Sequence, residues 1–194
     1  QSTHDVYPSA IKLASLLNSV PMVSELSALS DSFMVKAGDF SDIMKMGRTQ
    51  LQDAVPMTLG QEFEAFAKTL RKDRSYILNV LTLLYELNLG ATAIGTGVNA
   101  DPKFGLLAIN HLKQISGYPF RQAANLIEAT ADTGCFVALS SALKGTAVKL
   151  SKICNDLRLL SSGPRAGLHE INLPPVQPGS SIMPGKVNPV IPEA

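Results

Sequence analysis

Apolar residues recur every three or four positions over long stretches of this chain, and no other feature constrains its fold as strongly. Three stretches show this spacing, residues 6–40, 59–89 and 122–160. It is typical of helices, whereas a half-buried strand alternates apolar and polar residues. The sequence therefore predicts an all-α fold, in which residues 1–161 form a bundle of long helices.

Prolines and glycines indicate where the first helices end. Pro21 lies inside the first stretch, and a kink or break is expected there because proline lacks a backbone donor. Residues 44–56 are predicted to be a connection, with Gly47, Asp53 and Pro56 as breakers. The helix over residues 59–89 is then expected to end at Gly90.

The middle of the chain is predicted to hold one short helix and one very long one. The short helix covers residues 102–116 and is stopped by Gly117 and Pro119. The long helix covers residues 122–160, interrupted only by two glycines, and would measure about 55 Å at 1.5 Å per residue. Helices this long and apolar usually pack in bundles, often across subunits.

The last segment, residues 162–194, has a different composition. It contains eleven glycines and prolines, a density at which no regular helix is expected to persist. Residues 170–173 are predicted to form one short strand, and the rest is an irregular loop. Because long irregular loops on rigid helices are usually functional or disordered, and this loop has conspicuous polar residues, we favour function.

Composition excludes several classes of partner. The net charge is +1 and no long basic run exists, so neither nucleic acid nor an anionic membrane surface is an expected partner. No apolar run reaches the length of a membrane span, and the N-terminus lacks a signal-peptide core. Cys135 and Cys154 form no metal-ligand spacing and are predicted to be buried thiols in a reducing cytoplasm.

Three polar clusters lie at the ends of predicted helices, and each has a structural explanation. Residues 2–5 are suited to capping a helix, and residues 47–50 to forming a turn. Residues 179–188 resemble a solvated loop. The alternative for this third cluster is a site, in which Lys186 offers a charge and Asn188 an amide to a carboxylate.

Serines in the third cluster raise the question of hydrolase chemistry. Ser180 or Ser181 is a possible nucleophile or base, but a serine needs activation for either role. His169 lies eleven positions before Ser180, and no Gly-x-Ser-x-Gly nucleophile elbow is present. A Ser-His-Asp hydrolase is therefore a poor alternative.

The loop over residues 179–189 resembles the signature of the aspartase/fumarase superfamily. Its pattern is Gly-Ser-Ser, two residues, Pro, one residue, Lys, one residue and Asn-Pro. Further resemblance covers essentially the whole chain, at residues 1–5, 46–56, 59–63 and 95–99. Residues 51–56 and 152–167 are similar to the ammonia-releasing members, and class II fumarase is the nearest alternative.

The resemblance implies a particular architecture. Members have a mainly helical subunit, and their central domain contributes long helices to a homotetramer in which three chains share each site. They are more than twice as long as this chain. The chain is therefore expected to be a central helical fragment, without the N- and C-terminal domains.

The resemblance also implies a reaction, the reversible conversion of L-aspartate to fumarate and ammonia, with a small dicarboxylate as substrate. Ser180 would be the general base, acting as an alkoxide. Lys186 would bind the α-carboxylate with help from Asn188, and Glu193 would support the site. The donors to the β-carboxylate would be Ser2, Thr3, Thr49 and Ser181.

No cofactor is implied. Some members of the superfamily are activated by a divalent metal, but the sequence shows no cluster of metal ligands. Two positions depart from the pattern. His4 stands where Asn is usual, and Gln50 stands where many members have His. Both would lie near the leaving amino group, so they bear on the choice of substrate more than on membership of the superfamily.

A non-catalytic reading of the fragment also follows. The long helices are expected to assemble without the outer domains, but such sites would lack contributors. The chain by itself is predicted to be a helical oligomer with little or no lyase activity.

Overall fold

Six helices dominate the computed structural model, which describes residues 1–194. They are α1 (Thr3–Asp39), α2 (Leu59–Leu81), α3 (Phe104–Ser116), α4 (Leu126–Ala131), α5 (Gly134–Leu160) and α6 (Val190–Glu193). Four short strands, β1 (Met44–Thr49), β2 (Gln52–Thr58), β3 (Glu86–Leu87) and β4 (Arg121–Gln122), form two separate two-stranded sheets. The predicted all-α class is confirmed. None of the helices is both long and apolar enough to cross a membrane.

The chain divides into two compact units. The first unit comprises residues 1–29 and 70–143, and the second comprises residues 30–69 and 144–194. In the first unit, α1 and α2 contribute apolar side chains that are almost wholly inaccessible, among them Leu16, Leu70 and Ile77. In this unit β3 pairs in parallel with β4, and Phe120 is buried beside that pairing.

Aromatic rings make up much of the core of the second unit. The ring of Phe33 on α1 lies edge-on to the rings of Phe63 and Phe66 on α2, at centroid distances of 5.9 and 5.6 Å. Phe40 meets Phe63 in the same way at 5.2 Å. Edge-to-face pairs of this kind add to the stabilisation that burial itself provides. They hold the end of α1 against the start of α2.

The predicted connection at residues 44–56 is wrong, because these residues belong to a β-hairpin. Strands β1 and β2 pair antiparallel, with a bulge between Met46 and Arg48. The two loop residues, Gln50 and Leu51, both have left-handed backbones, with φ of 53° and 62°. That is the geometry of a type I′ turn, which matches the twist of the strands it joins. A turn near these residues was predicted, but the hairpin was not, because the sequence lacks the Asn-Gly pair usual in such turns.

Two of the three long predicted helices are shorter than expected. Helix α2 ends at Leu81, not at residue 89, and a 3₁₀ turn over Thr82–Tyr85 leads into β3. The predicted 122–160 helix is divided into α4 and α5. The division falls at Asp132, whose backbone is extended and whose carboxylate accepts the Gly134 N–H at the start of α5 at 3.1 Å. Helix α5 has 27 residues and measures about 40 Å.

Of the remaining predictions for helices and strands, one is confirmed and others are wrong. The short helix stops at Gly117 as predicted. The break considered at Pro21 is absent, since α1 is assigned without interruption through both of its prolines. No strand forms over residues 170–173, and the single turn of α6 was not predicted.

Candidate active site

The first polar cluster begins α1, and its structural role is clear. The Ser2 hydroxyl accepts the His4 N–H at 3.2 Å, and the Asp5 carboxylate accepts the Ser2 N–H at 2.8 Å. This reciprocal pair is a capping box with Asp in the place of Glu. The capping interpretation is therefore confirmed. Thr3 and His4 remain exposed, and Ser2 is half-buried.

Buried polar side chains then fix this first turn within the first unit. Asp5 has no exposed surface, and its second carboxylate oxygen accepts the N–H groups of Gly90 and Thr92 at 3.1 and 3.2 Å. The Asn88 amide donates to the His4 carbonyl at 3.0 Å and to the Thr130 hydroxyl at the same distance. These bonds restrict the position of the residues predicted to bind a carboxylate.

The second cluster lies at the tip of the hairpin. Thr49 ends β1 and Gln50 is the first loop residue, and both side chains are exposed. The predicted turn is thus confirmed for Gln50, whereas Gly47 and Arg48 belong to the strand.

Ion pairs anchor this hairpin within the second unit. Lys45 pairs with Glu62 and, at 3.1 Å, with Glu170, which also pairs with Arg48. All four side chains are largely buried. Desolvation alone would raise the pKa of Glu170, but the paired Arg48 and Lys45 outweigh it and hold that pKa below its ordinary value. The hydrogen bond to Glu170 in turn raises the pKa of Arg48.

The third cluster lies in a loop that folds back on itself. A side chain at Gly179 would place its Cβ 2.6 Å from the Lys186 carbonyl oxygen, so only glycine fits there. Within the loop, the Ser180 hydroxyl oxygen accepts the backbone N–H groups of Ile182 and Met183 at 3.3 and 3.2 Å. Two N–H dipoles pointing at one oxygen stabilise negative charge on it, an arrangement compatible with the predicted role of Ser180 as a base.

One cavity of about 680 Å³ in the second unit brings together three of the predicted residues, Lys186, Asn188 and Glu193. Arg158 lines it as well, and its guanidinium lies 2.6 Å from the Glu193 carboxylate. The lining therefore holds two cations and one carboxylate, a balance suited to an anionic ligand. Ser180, Ser181, Thr49 and Gln50 do not line this cavity.

Sequence reasoning missed Arg158 and Glu170. Arg158 lies in the stretch 152–167 that resembles the superfamily, but its place on α5 gave no sign that it would face a cavity. Glu170 had been placed in a strand. Its burial between cations depends on residues more than a hundred positions away, a relation that periodicity does not reveal.

Two other predictions bear on chemistry. The His169 ring lies 2.8 Å from the Asn172 side-chain oxygen, an arrangement that does not pair it with a serine as a hydrolase triad would need. No three histidine, cysteine, aspartate or glutamate side chains come together as a possible metal site. The predicted lack of a cofactor and the question of metal activation stay open predictions.

Comparison with known proteins identifies the family. The lyase family profile matches residues 1–194, so the chain belongs to this lyase family. Aspartate ammonia-lyase of Pseudomonas aeruginosa is 63% identical over 195 residues, which cover all of this chain and 41% of that protein. The corresponding enzymes of Helicobacter pylori and Escherichia coli are 59% and 56% identical. The predicted resemblance is confirmed.

Solved structures agree with this placement. A fumarate lyase:delta crystallin from Brucella melitensis bound to cobalt matches with a TM-score of 0.95 and 60% identity, over all of this chain and 42% of that one. A class II fumarase from Schistosoma mansoni matches with a TM-score of 0.92 at 35% identity, over all of this chain and 44% of that one. The chain spans about two fifths of the length of the curated relatives that it matches.

Proposed function

We propose that the full-length protein is an aspartate ammonia-lyase, which converts L-aspartate reversibly to fumarate and ammonia. One observation carries the proposal, the identity of 56–63% to aspartate ammonia-lyases along the whole chain. The class II fumarase is only 35% identical over the same residues. That difference favours loss of ammonia over loss of water.

The difficult step is removal of a proton from the carbon beside the β-carboxylate. The resulting anion places a second negative charge on that carboxylate, so the site must supply fixed donors as well as a base. Ser180 is the proposed base. The two N–H groups that it accepts support this role, because they stabilise the alkoxide that would take the proton.

The remaining predicted residues divide between the two carboxylates. Lys186, with Asn188, binds the α-carboxylate, and their shared cavity with Glu193 supports this. The β-carboxylate receives hydrogen bonds from the other hydroxyls, those of Ser2, Thr3, Thr49 and Ser181. Closure of the 179–189 loop over the substrate would exclude water and strengthen each of these bonds.

The proposal includes a homotetramer whose sites each use three chains. Exposed apolar side chains on the long helices support assembly, since a monomer in water gains nothing from displaying them. Several are more than half exposed, including Tyr7, Leu17, Val20, Val35, Tyr76, Val137 and Val148. A cytoplasmic location is also proposed, in keeping with two unpaired cysteines. No cofactor is required by the proposed chemistry.

Substrate choice and the proposed base can be tested in one assay. The full-length enzyme is given L-aspartate or L-malate, and the absorbance of fumarate is followed. L-Aspartate is expected to give fumarate. Ser180→Ala should lower kcat at least a hundredfold, because a positioned base typically contributes that much. Ser151→Ala, an exposed serine on α5, is the matched control and should leave kcat unchanged.

Three results would each contradict part or all of the proposal. Activity on malate alone would make the enzyme a fumarase, the sibling function that the sequence left open. Full activity of the Ser180→Ala enzyme on L-aspartate would remove Ser180 as the base while leaving the reaction in place. Release of fumarate from neither substrate would contradict both functions, and His4 and Gln50 would then be the first positions to examine for an altered substrate.

A further inference from the structure

A second groove lies in the first unit, beside the start of α1. It measures about 560 Å³ and is lined by Gln1 and Ser2 together with most of the segment 92–100. Sites for small molecules have volumes of this order. The segment has no role in the function proposed above, although it shares the groove with the predicted carboxylate ligand Ser2.

The segment is ordered, as a binding wall must be. The N–H groups of Gly95 and Gly97 both donate to the Ala91 carbonyl at 3.1 Å. Gly95 has φ of 102°, and a Cβ there would lie 2.3 Å from the Ile127 Cα, so the backbone packs directly against the start of α4. This close approach fixes the middle of the segment.

Asp5 links this segment to Ser2, which lines the same groove. One carboxylate group accepts the N–H of Ser2 on one side and those of Gly90 and Thr92 on the other. Thr92 and Asn99 have left-handed backbones, with φ of 58° and 62°. For a β-branched residue such as threonine this is a strained conformation, and strain of this kind clusters at functional sites.

We propose that the segment 92–100 forms a wall of the substrate site beside Ser2, where the exposed side chains of Thr96 and Asn99 bind a carboxylate of the substrate. A hydroxyl and an amide both donate to carboxylate oxygens. Thr96 and Asn99 line the same groove as Ser2, so all three side chains can donate to one ligand held there. This inference rests on the proposed function, since the ligand is the dicarboxylate named there.

The test uses the full-length enzyme with two variants that spare the backbone. Asn99→Gly keeps the left-handed conformation without strain and removes only the amide. Thr96→Val keeps the shape and removes the hydroxyl. Binding of succinate, a non-reactive dicarboxylate, is measured by calorimetry, and KM for L-aspartate by steady-state kinetics. Each variant should weaken succinate binding and raise KM roughly tenfold, the loss of one hydrogen bond to a charged group.

Asn110→Ala is the matched control, because it removes an exposed amide from α3 in the same unit and lines neither this groove nor the cavity around Lys186. It should bind succinate as the wild type does. If both groove variants fold, assemble and bind succinate with wild-type affinity, the inference is wrong and the proposed function survives. If the wild-type enzyme binds no dicarboxylate and uses neither aspartate nor malate, both are wrong.

Discussion

Asp5 shows how much one buried residue can determine. Its carboxylate has no exposed surface and accepts three backbone N–H groups from two separate parts of the first unit. Burial of a charged group is tolerated because every donor around it points inward. Asp5 therefore fixes the backbone beside Ser2 and Thr3, the proposed carboxylate ligands.

Asp5→Asn should destabilise the protein and weaken catalysis together. An amide cannot accept on both of its polar atoms, so at least one buried N–H group loses its partner, at a cost of about 1–3 kcal/mol. Denaturant unfolding measures the stability, and kcat/KM for L-aspartate measures the site. Asp39→Asn is the control, since Asp39 pairs with Lys36 on the surface and should change neither. An Asp5→Asn enzyme with wild-type stability and activity would contradict this account.

Glu170 provides a prediction that depends on pH. Its pKa in the folded protein lies below the ordinary value of 4.5, so the stability that it contributes is fully present above that value. That stability is lost as the pH falls through the lowered pKa. Glu170→Gln should therefore reduce the free energy of unfolding at pH 7 by about 1–3 kcal/mol, and the difference from wild type should shrink in acid.

The pH dependence separates an ion pair from simple packing. Denaturant unfolding at several pH values from 7 downwards measures it. Glu64→Gln is the matched control, because Glu64 pairs with Lys68 on the surface of α2 and such pairs contribute little. A Glu170→Gln deficit that stayed constant with pH would show that the carboxylate charge is not what stabilises the hairpin.

At the scale of elements, the hairpin turn is held in a conformation that its residues do not prefer. Leu51 is exposed and has φ of 62°, which costs a residue with a side chain roughly 1–2 kcal/mol. Leu51→Gly removes that cost but increases the entropy lost on folding by about 0.5–1 kcal/mol. The free energy of unfolding is therefore expected to rise by about 0.5 kcal/mol. Thermal unfolding of the full-length protein measures the gain.

A glycine substitution on a strand of the same hairpin should have the opposite effect. Val55 lies on β2, in an ordinary extended backbone. Val55→Gly therefore increases the entropy lost on folding and relieves no backbone strain. It should lower the unfolding temperature. If both glycines lowered it, the left-handed turn would not be the strained element.

The elements also show what the sequence can and cannot predict. Apolar periodicity identified the long helices because each has an apolar face to bury, and Gly117 marked a helix end correctly. The division at Asp132 was missed because the apolar pattern continues across the extended backbone there. The hairpin was missed because pairing with a partner strand, rather than local preference, holds Gln50 and Leu51 in their conformation.

The candidate site was predictable where its residues are adjacent in sequence and not where folding brings them together. Resemblance identified Ser180, Lys186 and Asn188 within one loop. Arg158 lines the cavity that also holds Lys186 and Asn188, but it lies on α5, 28 positions before Lys186, and only the path of the chain between them brings it there.

For the whole molecule, the distribution of apolar surface matters more than any single contact. Each long helix buries some of its apolar side chains and leaves others exposed. Val20 and Val148 are more than half exposed in the middle of α1 and α5. Faces of this kind are stable in water when another chain covers them. Assembly of the long helices is therefore expected to depend on these residues.

The chain of 194 residues, produced alone, is expected to be a helical oligomer with little lyase activity. The exposed apolar residues belong to this chain, so assembly should proceed. Light scattering should then give a mass at least twice the 20.7 kDa of one chain. Val148→Asp should shift the mass towards the monomer, because assembly would then bury a charge where the unaltered chain buries an apolar side chain. Lys149→Arg, at the next position, keeps its charge and should leave the mass unchanged. A stable monomer of the unaltered chain would contradict assembly through these faces, and rapid release of fumarate from L-aspartate would show that the chain already holds a complete site.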